Sequence, residues 1–332
     1  MTREFEGAVP RFVLLRVGRF TNHCVHAYPL KRLSHADIAP YDPKMFTAPE
    51  PFVTEAPDGI RIVSDRLGDP AARAVVFLHG GGQTRRSWAR AAAAVADRGW
   101  QAVTVDFRGH GESDWSSEGD YRVVTFADDV RKVLAQLPAA PVLVGASLGG
   151  FTSMLLAGEL APGIASAVVL VDIVPSMNPS GAARIHDFMS DKMVEGFASL
   201  DEVADRIAEY NPHRPRPTDL NGLRANLRRR GDRWYWHWDP QFIDGTAANP
   251  PIEVTDPDRM HAAVEAILAE NVPMLLVRGQ VSDLVSEDRA EEFLARFPQV
   301  EFVDVDGAGH MVAGDRNDLF AEAVVDFLNR HA

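Results

Sequence analysis

Four residues in this sequence have the types and surroundings that acyl-transfer chemistry needs. Ser147 stands in Gly145-Ala146-Ser147-Leu148-Gly149, a G-x-S-x-G run placed where an apolar strand ends and a helix begins. The glycines allow a tight strand-to-helix reversal that pushes the hydroxyl out at the sheet edge, with the Leu148 N–H aimed at the same point. A neutral serine needs a base to take its proton, carried at the end of another strand. His310 fits, in Asp306-Gly307-Ala308-Gly309-His310-Met311, directly after a strand at 301–305. A carboxylate must then hold the imidazole in its reactive tautomer. Asp283, beyond the strand at 273–277, is preferred because it completes the order Ser, Asp, His, while Asp172, near the end of the sixth strand, is the rival.

The developing negative oxygen of an acyl-transfer reaction needs N–H donors. His79-Gly80-Gly81-Gly82-Gln83 follows the strand at 74–78. The backbone N–H groups of Gly81 and Leu148 are the expected pair, with Gly82 the near alternative. His79 is read as a structural residue bonding loop backbone. A glycine-rich loop after a strand could instead cradle phosphate, but neither G-x-x-x-x-G-K-[ST] nor G-x-G-x-x-G is present.

These residues need a scaffold that brings strand ends together. Strands are predicted at 52–54 and 60–65, joined by the Asp58-Gly59 turn, as an antiparallel pair. Short apolar strands at 74–78, 101–106, 141–144 and 167–174 then alternate with helices at 84–96, 126–137 and 148–160. After Pro175 the alternation breaks for about 85 residues with helical periods, a capping box at Ser199-Leu200-Asp201-Glu202 and the aromatic run Trp234-Tyr235-Trp236-His237-Trp238. It resumes with helices at 260–270, 287–297 and 315–330 and strands at 273–277 and 301–305. Such alternation predicts an α/β fold, a mostly parallel sheet covered by helices on both faces. The expected organisation is an N-terminal extension at 1–50, a core at 51–174 and 259–332, and an insertion at 175–258. Within the extension, the apolar run Phe12 to Leu15 could be a strand or a docking segment.

Bulk properties narrow the partners. In 332 residues, 34 Lys and Arg stand against 47 Asp and Glu, a net charge of −13, which repels nucleic acid and anionic membranes. The single cysteine, Cys24, cannot form an internal disulfide, and no cysteine cluster could hold a structural zinc. No run approaches the roughly 20 apolar residues that span a bilayer. The first ten residues carry acids where a secretory signal has a basic start, so a cytoplasmic protein is expected. The chemistry calls for no metal or cofactor, and the oligomeric state is left open.

Taken together, these residues resemble the α/β-hydrolase superfamily over about 51–332. Besides the pentapeptide, Asp106-Phe107-Arg108-Gly109-His110-Gly111-Glu112-Ser113 looks like that family's D-x-R-G-x-G-x-S turn, in which Arg108, Glu112 and Ser113 are usually structural. His110 is given the same reading. The resemblance implies an eight-stranded sheet and a helical cap inserted after the sixth strand. The pattern is nearest the branch of epoxide hydrolases, cofactor-free haloperoxidases, C–C bond hydrolases, lactonases and small esterases. Epoxide hydrolases and haloalkane dehalogenases of this fold attack with aspartate; a serine at 147 makes an acyl-enzyme instead.

The cap would exclude water and shape an apolar pocket. Trp234, Trp236 and Trp238, with Tyr235 between them and Gly82 below, could line it, or the rings could be the cap's own core. His237 is read as structural, and Arg224, Arg228, Arg229 and Arg230 as a solvated helix face. The leading expectation is a serine hydrolase of small apolar carboxylic esters, lactones or thioesters, free of nucleic acid and membrane partners. A perhydrolase passing the acyl group to peroxide, a C–C bond hydrolase, and a receptor-like protein with vestigial turnover are the alternatives.

Overall fold

The computed structural model describes residues 31–33, 48–212, 214–245, 256–315 and 317–331. The run Phe12 to Leu15 lies outside them. Along the chain the main-sheet strands are β1 (Lys31–Leu33), β2 (Glu50–Glu55), β3 (Arg61–Leu67), β4 (Ala74–Leu78), β5 (Gln101–Val105), β6 (Val142–Ala146) and β7 (Ala167–Val171). A separate two-stranded sheet pairs β8 (Leu227–Arg230) with β9 (Arg233–Trp236), and β10 (Met274–Gly279) and β11 (Glu301–Val305) return to the main one. Every residue of β4, β5, β6 and β7 is buried, as a parallel sheet covered on both faces requires.

Alternation along each strand divides two apolar layers. Val76 and Leu78 of β4 face one, with Phe126, Val130, Met154 and Ile267; Val75 and Phe77 face the other, with Trp88, Val95, Phe320 and Phe327. The helices α1 (Ala89–Ala96), α2 (Val123–Leu134) and α3 (Leu148–Leu155) follow β4, β5 and β6 in turn. The predicted helix 84–96 begins as a 3-10 turn at Arg85–Trp88.

The main sheet runs β1-β11-β10-β7-β6-β4-β5-β3-β2, with every strand parallel except β3, which is antiparallel to its neighbours β5 and β2. Among the described residues it has nine strands, one more than the eight expected. The additional one, Lys31–Leu33, pairs parallel with Val303–Val305 at the edge, so the expected extension adds to the core sheet. Register aligns the strand ends that matter: Leu78 faces Gly145, Ala146 and Val277 both face Val171, and Gly279 faces Val305. The residues that follow these strands consequently collect along one carboxyl edge.

Between β7 and α8 (Pro257–Ala269), the chain forms α4 (Pro179–Ser190), α5 (Leu200–Tyr210), the short turns α6 (Leu220–Leu223) and α7 (Gln241–Asp244), and the β8–β9 hairpin. Ser199 caps α5 by accepting the Glu202 N–H at 3.2 Å, while Glu202 reaches back to the Ala198 N–H at 2.6 Å. The insertion is not wholly helical, because Arg233–Trp236, with its three consecutive aromatics, pairs as a strand with Leu227–Arg230. The arginines expected on a helix face lie largely on that hairpin, and Arg228 and Arg230 both cover the Trp115 ring, at 4.5 and 5.4 Å. The chain closes with α9 (Glu287–Arg296), α10 (Val312–Asp315) and α11 (Asn317–His331). No helix among the described residues is long and apolar enough to cross a membrane.

Candidate active site

Ser147 sits between β6 and α3 with φ 48° and ψ −112°, a backbone state that a β-carbon disfavours. The surroundings impose it. A side-chain carbon at Gly145 would lie 2.3 Å from the Gly149 carbonyl oxygen, and one at Gly149 would lie 2.2 Å from that of Leu78. Strand and helix thus close to within backbone contact, and the serine occupies the apex of the turn. The loop after β4 packs against it, since a β-carbon on Gly80 would stand 3.4 Å from that of Ser147.

His310 lies in the loop between β11 and α10. Its Nδ1 is 2.8 Å from Oδ2 of Asp172, the residue after β7. That carboxylate is fully buried and also accepts the Ser282 hydroxyl at 2.5 Å and the Gly279 N–H at 2.9 Å. With donors on both oxygens it acts as an acceptor, which puts the imidazole proton on Nδ1 and leaves the Nε2 lone pair for a substrate-side proton. Asp172 itself has φ 49°, a turn that continues the edge set by β7.

The preferred acid of the sequence reading is therefore corrected. Asp283 lies four residues beyond β10, its side chain is 41% exposed, and it is ion-paired with Arg184 of α4. Asp172 also falls between Ser147 and His310 along the chain, so chain order does not discriminate between the two. Side-chain placement does: Asp172 directly follows β7 and is buried against the His310 ring, whereas Asp283 turns to Arg184, and the His310 loop rests on the last residue of β10. A β-carbon on Gly279 would be 2.2 Å from the Gly309 carbonyl oxygen.

The N–H groups of Gly81, in the loop after β4, and of Leu148, at the start of α3, have no hydrogen-bond partner among the described residues, whereas Gly82 donates its N–H to Nε2 of His110 at 3.1 Å. Gly82 is thereby withdrawn as an alternative donor. His79 is fully buried; its Nδ1 bonds the Gly80 carbonyl at 2.8 Å and its Nε2 accepts the Phe107 N–H at 3.1 Å. Burial holds His79, His110 and His237 neutral, each with a pKa pushed down to about 3.

Of the insertion's aromatics, Trp238 approaches the glycine loop: a β-carbon on Gly82 would meet its ring at 3.3 Å and the Met189 methyl at 3.0 Å. Trp236 stacks on Trp238 with centroids 4.9 Å apart and donates its indole N–H to Asp191, as a core residue does. Trp234 lies under the guanidinium groups of Arg224 and Arg229, each 5.6 Å away. Two residues that the sequence reading did not single out, Phe242 and Met189, stand over Gly81 at 3.3 and 3.7 Å from the position of a β-carbon there. Neither belongs to a motif, so no sequence signal marked them.

The turn after β5 is structural. Arg108 is buried and bonds Asp129 through Nε at 2.6 Å and Asp58 through a terminal nitrogen at 2.8 Å. Ser113 donates its hydroxyl to the Asp106 carbonyl at 2.7 Å and accepts the Val63 N–H at 2.9 Å. Glu112 pairs with Arg85 and Arg86.

A strained serine at a strand-to-helix apex, a buried aspartate–histidine pair and a glycine loop on one carboxyl edge define a hydrolase class, and comparison agrees. The sequence profile of the alpha/beta hydrolase fold matches residues 73–316, so the chain belongs to that family. An esterase of Mycobacterium tuberculosis is 31% identical over 78% of this chain and 83% of its own. Its crystal structure superposes with a TM-score of 0.66 at 30% identity, covering 85% of this chain and 92% of that one. A 3-hydroxybutyrate-oligomer hydrolase of Cupriavidus necator is 30% identical over 77% of this chain and 89% of its own. A non-heme chloroperoxidase of Kitasatospora aureofaciens is 28% identical over 82% and 98%. These relatives support a hydrolase.

Proposed function

We propose that this protein hydrolyses carboxylic esters of small apolar molecules through an acyl-enzyme on Ser147. The observation that carries the reading is the 2.8 Å pairing of His310 Nδ1 with the buried carboxylate of Asp172, on the edge where Ser147 stands. Asp172 takes the role first given to Asp283.

In the first half-reaction His310 Nε2 takes the Ser147 proton as Oγ bonds to the ester carbonyl carbon. The oxyanion is received by the N–H groups of Gly81 and Leu148, and Asp172 stabilises the imidazolium. His310 then protonates the departing alcohol and the C–O bond breaks. Water enters, gives its proton to His310, attacks the acyl carbon, and the acid leaves as Oγ regains a proton. The apolar side chains of Met189, Trp238 and Phe242 against Gly81 and Gly82 favour an apolar substituent beside the reacting carbonyl. The inserted segment carrying them serves as the cap that excludes water.

The test is labelling with a fluorophosphonate, followed by a panel of esters, lactones and thioesters. Wild type is expected to label and turn over, and Ser147→Ala to do neither. Hydrolysis surviving in Ser147→Ala overturns the reading. The chloroperoxidase relative favours one second reading, in which peroxide replaces water as acyl acceptor; a peracid formed only when peroxide is supplied identifies it.

A further inference from the structure

Gly80, Gly81 and Gly82 have no side chains to hold them, and Gly82 has φ +72°. A run of three glycines has more backbone freedom to lose than any other tripeptide, so its geometry must be fixed from outside. Three histidines from three parts of the chain do this. His79, at the end of β4, bonds the carbonyl of the Gly80–Gly81 peptide, the unit whose N–H belongs to Gly81. His110, in the turn after β5, accepts the N–H of the Gly81–Gly82 peptide. His237, from the insertion, lies with Nε2 at 3.2 Å from the carbonyl of the Gly82–Gln83 peptide. The imidazole rings run in file, with centroids 5.2 Å apart for His79 and His110 and 5.8 Å for His110 and His237.

We propose that His237 is a positioning residue that sets the aim of the Gly81 N–H, so that the oxyanion site is complete only when the insertion is docked on the core. The proposal rests on the acyl-enzyme reading above. His237 Nδ1 accepts the Gly111 N–H at 2.9 Å, which leaves Nε2–H to donate to Gly82. One neutral ring thus joins the loop after β5 to the glycine loop, a donor on one side and an acceptor on the other. Its neighbours tie the same part of the insertion to that loop: Asp239 donates its N–H to the Gly109 carbonyl at 2.9 Å, and Arg228 bonds the Gly111 carbonyl at 3.2 Å. Burial keeps the ring neutral, as both bonds require.

His237→Asn and His237→Gln separate the two bonds. The asparagine amide reaches about as far as Nδ1 and can still accept from Gly111, but not donate to Gly82; the glutamine amide reaches about as far as Nε2 and keeps the donor to Gly82. The measurements are kcat and KM for an ester that wild type turns over, affinity for an alkyl boronic acid that forms a tetrahedral adduct with serine, and melting temperature. His237→Asn is expected to lose about 10- to 100-fold in kcat with KM within about threefold, because misaiming costs less than deleting a donor. Boronate affinity should fall by a matching factor. His237→Gln should stay within about threefold of wild type in both. Wild-type kcat and boronate affinity in His237→Asn overturn the proposal, as do equal losses in the two variants that follow their melting temperatures. If His237→Asn does not fold, a tenfold or greater kcat loss in a folded His237→Gln overturns it too. A wild type without Ser147-dependent turnover instead refutes the acyl-enzyme reading, so the two failures are distinct.

Discussion

Oδ2 of Asp172 lies 2.8 Å from Nδ1 of His310 although 138 residues separate them in the chain. The contact exists because β7 and β11 flank β10, so the turns after both converge on Gly279, whose N–H bonds the carboxylate. A carboxylate with no exposure and several donors has one geometry, and it fixes the histidine tautomer with it.

The two aspartates should therefore respond oppositely to substitution. Asp172→Asn puts an amide against Nδ1 and favours the wrong tautomer, so kcat is expected to fall by about 10³- to 10⁴-fold. Asp283→Asn removes a half-exposed ion pair with Arg184, worth about 0–1 kcal/mol, and should keep turnover within about threefold. Steady-state rates for both variants decide, and an inactive, folded Asp283→Asn would restore the rejected assignment.

Acid should destabilise the fold early. Burial, reinforced by the neighbouring imidazole, lowers His237 and His110 to about 3; burial lowers His79 likewise. The unfolded chain takes up those protons near pH 6.5. The stabilisation is complete above that pH and is lost as pH falls towards 3, at about 1 kcal/mol per pH unit for each ring. Urea midpoints at pH 7, 6 and 5 should drop progressively, and more shallowly in His237→Gln; a flat profile down to pH 5 contradicts the cluster's neutrality.

Arg108 makes the turn after β5 dependent on Asp129. Both side chains are about 1% exposed and share two bonds of 2.6 Å. Asp129→Asn would leave a buried guanidinium with only the half-exposed Asp58, at a cost of about 3–5 kcal/mol. Denaturant unfolding reads this directly, and a loss below about 1 kcal/mol would mean that Asp58 or water replaces the carboxylate.

Phe242 should set the size limit beside the reacting carbonyl. It stands over Gly81 and packs edge-on against His110 at 4.6 Å. Phe242→Leu conserves most of the apolar burial while removing the ring, so kcat/KM should shift towards bulkier acyl groups by about tenfold, within the range of small hydrophobic volume changes. An unchanged chain-length profile would place the acyl group elsewhere.

Local chemistry made much of this legible. Ser147, the glycines beside it and the loop at His79 were recognisable because a strand-to-helix reversal and a backbone donor site each need particular residues within a few positions. The strands 74–78 and 301–305 are legible to the residue, the first as a continuous apolar run and the second as a short run in which Phe302, Val303 and Val305 are interspersed with acids. The hairpin at Leu227–Trp236 was missed because arginines that stack on aromatic rings read as a polar helix face until their partners are known. Trp236 and Trp238 could have been pocket or core, and only the stacked pair and the approach to Gly82 distinguish them.

By itself the sequence determined the fold class, the position of the serine and the histidine, and the glycine loop, since each depends on periodicity or on neighbours along the chain. The identity of the carboxylate, the three histidines that hold the loop, and the contacts of Phe242 and Met189 were decided only by tertiary structure. Asp172 and Asp283 both follow strands and both precede His310. What separates them is where their side chains lie, Asp172 buried against His310 and Asp283 half-exposed against Arg184, and that is set by the packing of the whole molecule rather than by any local run of residues.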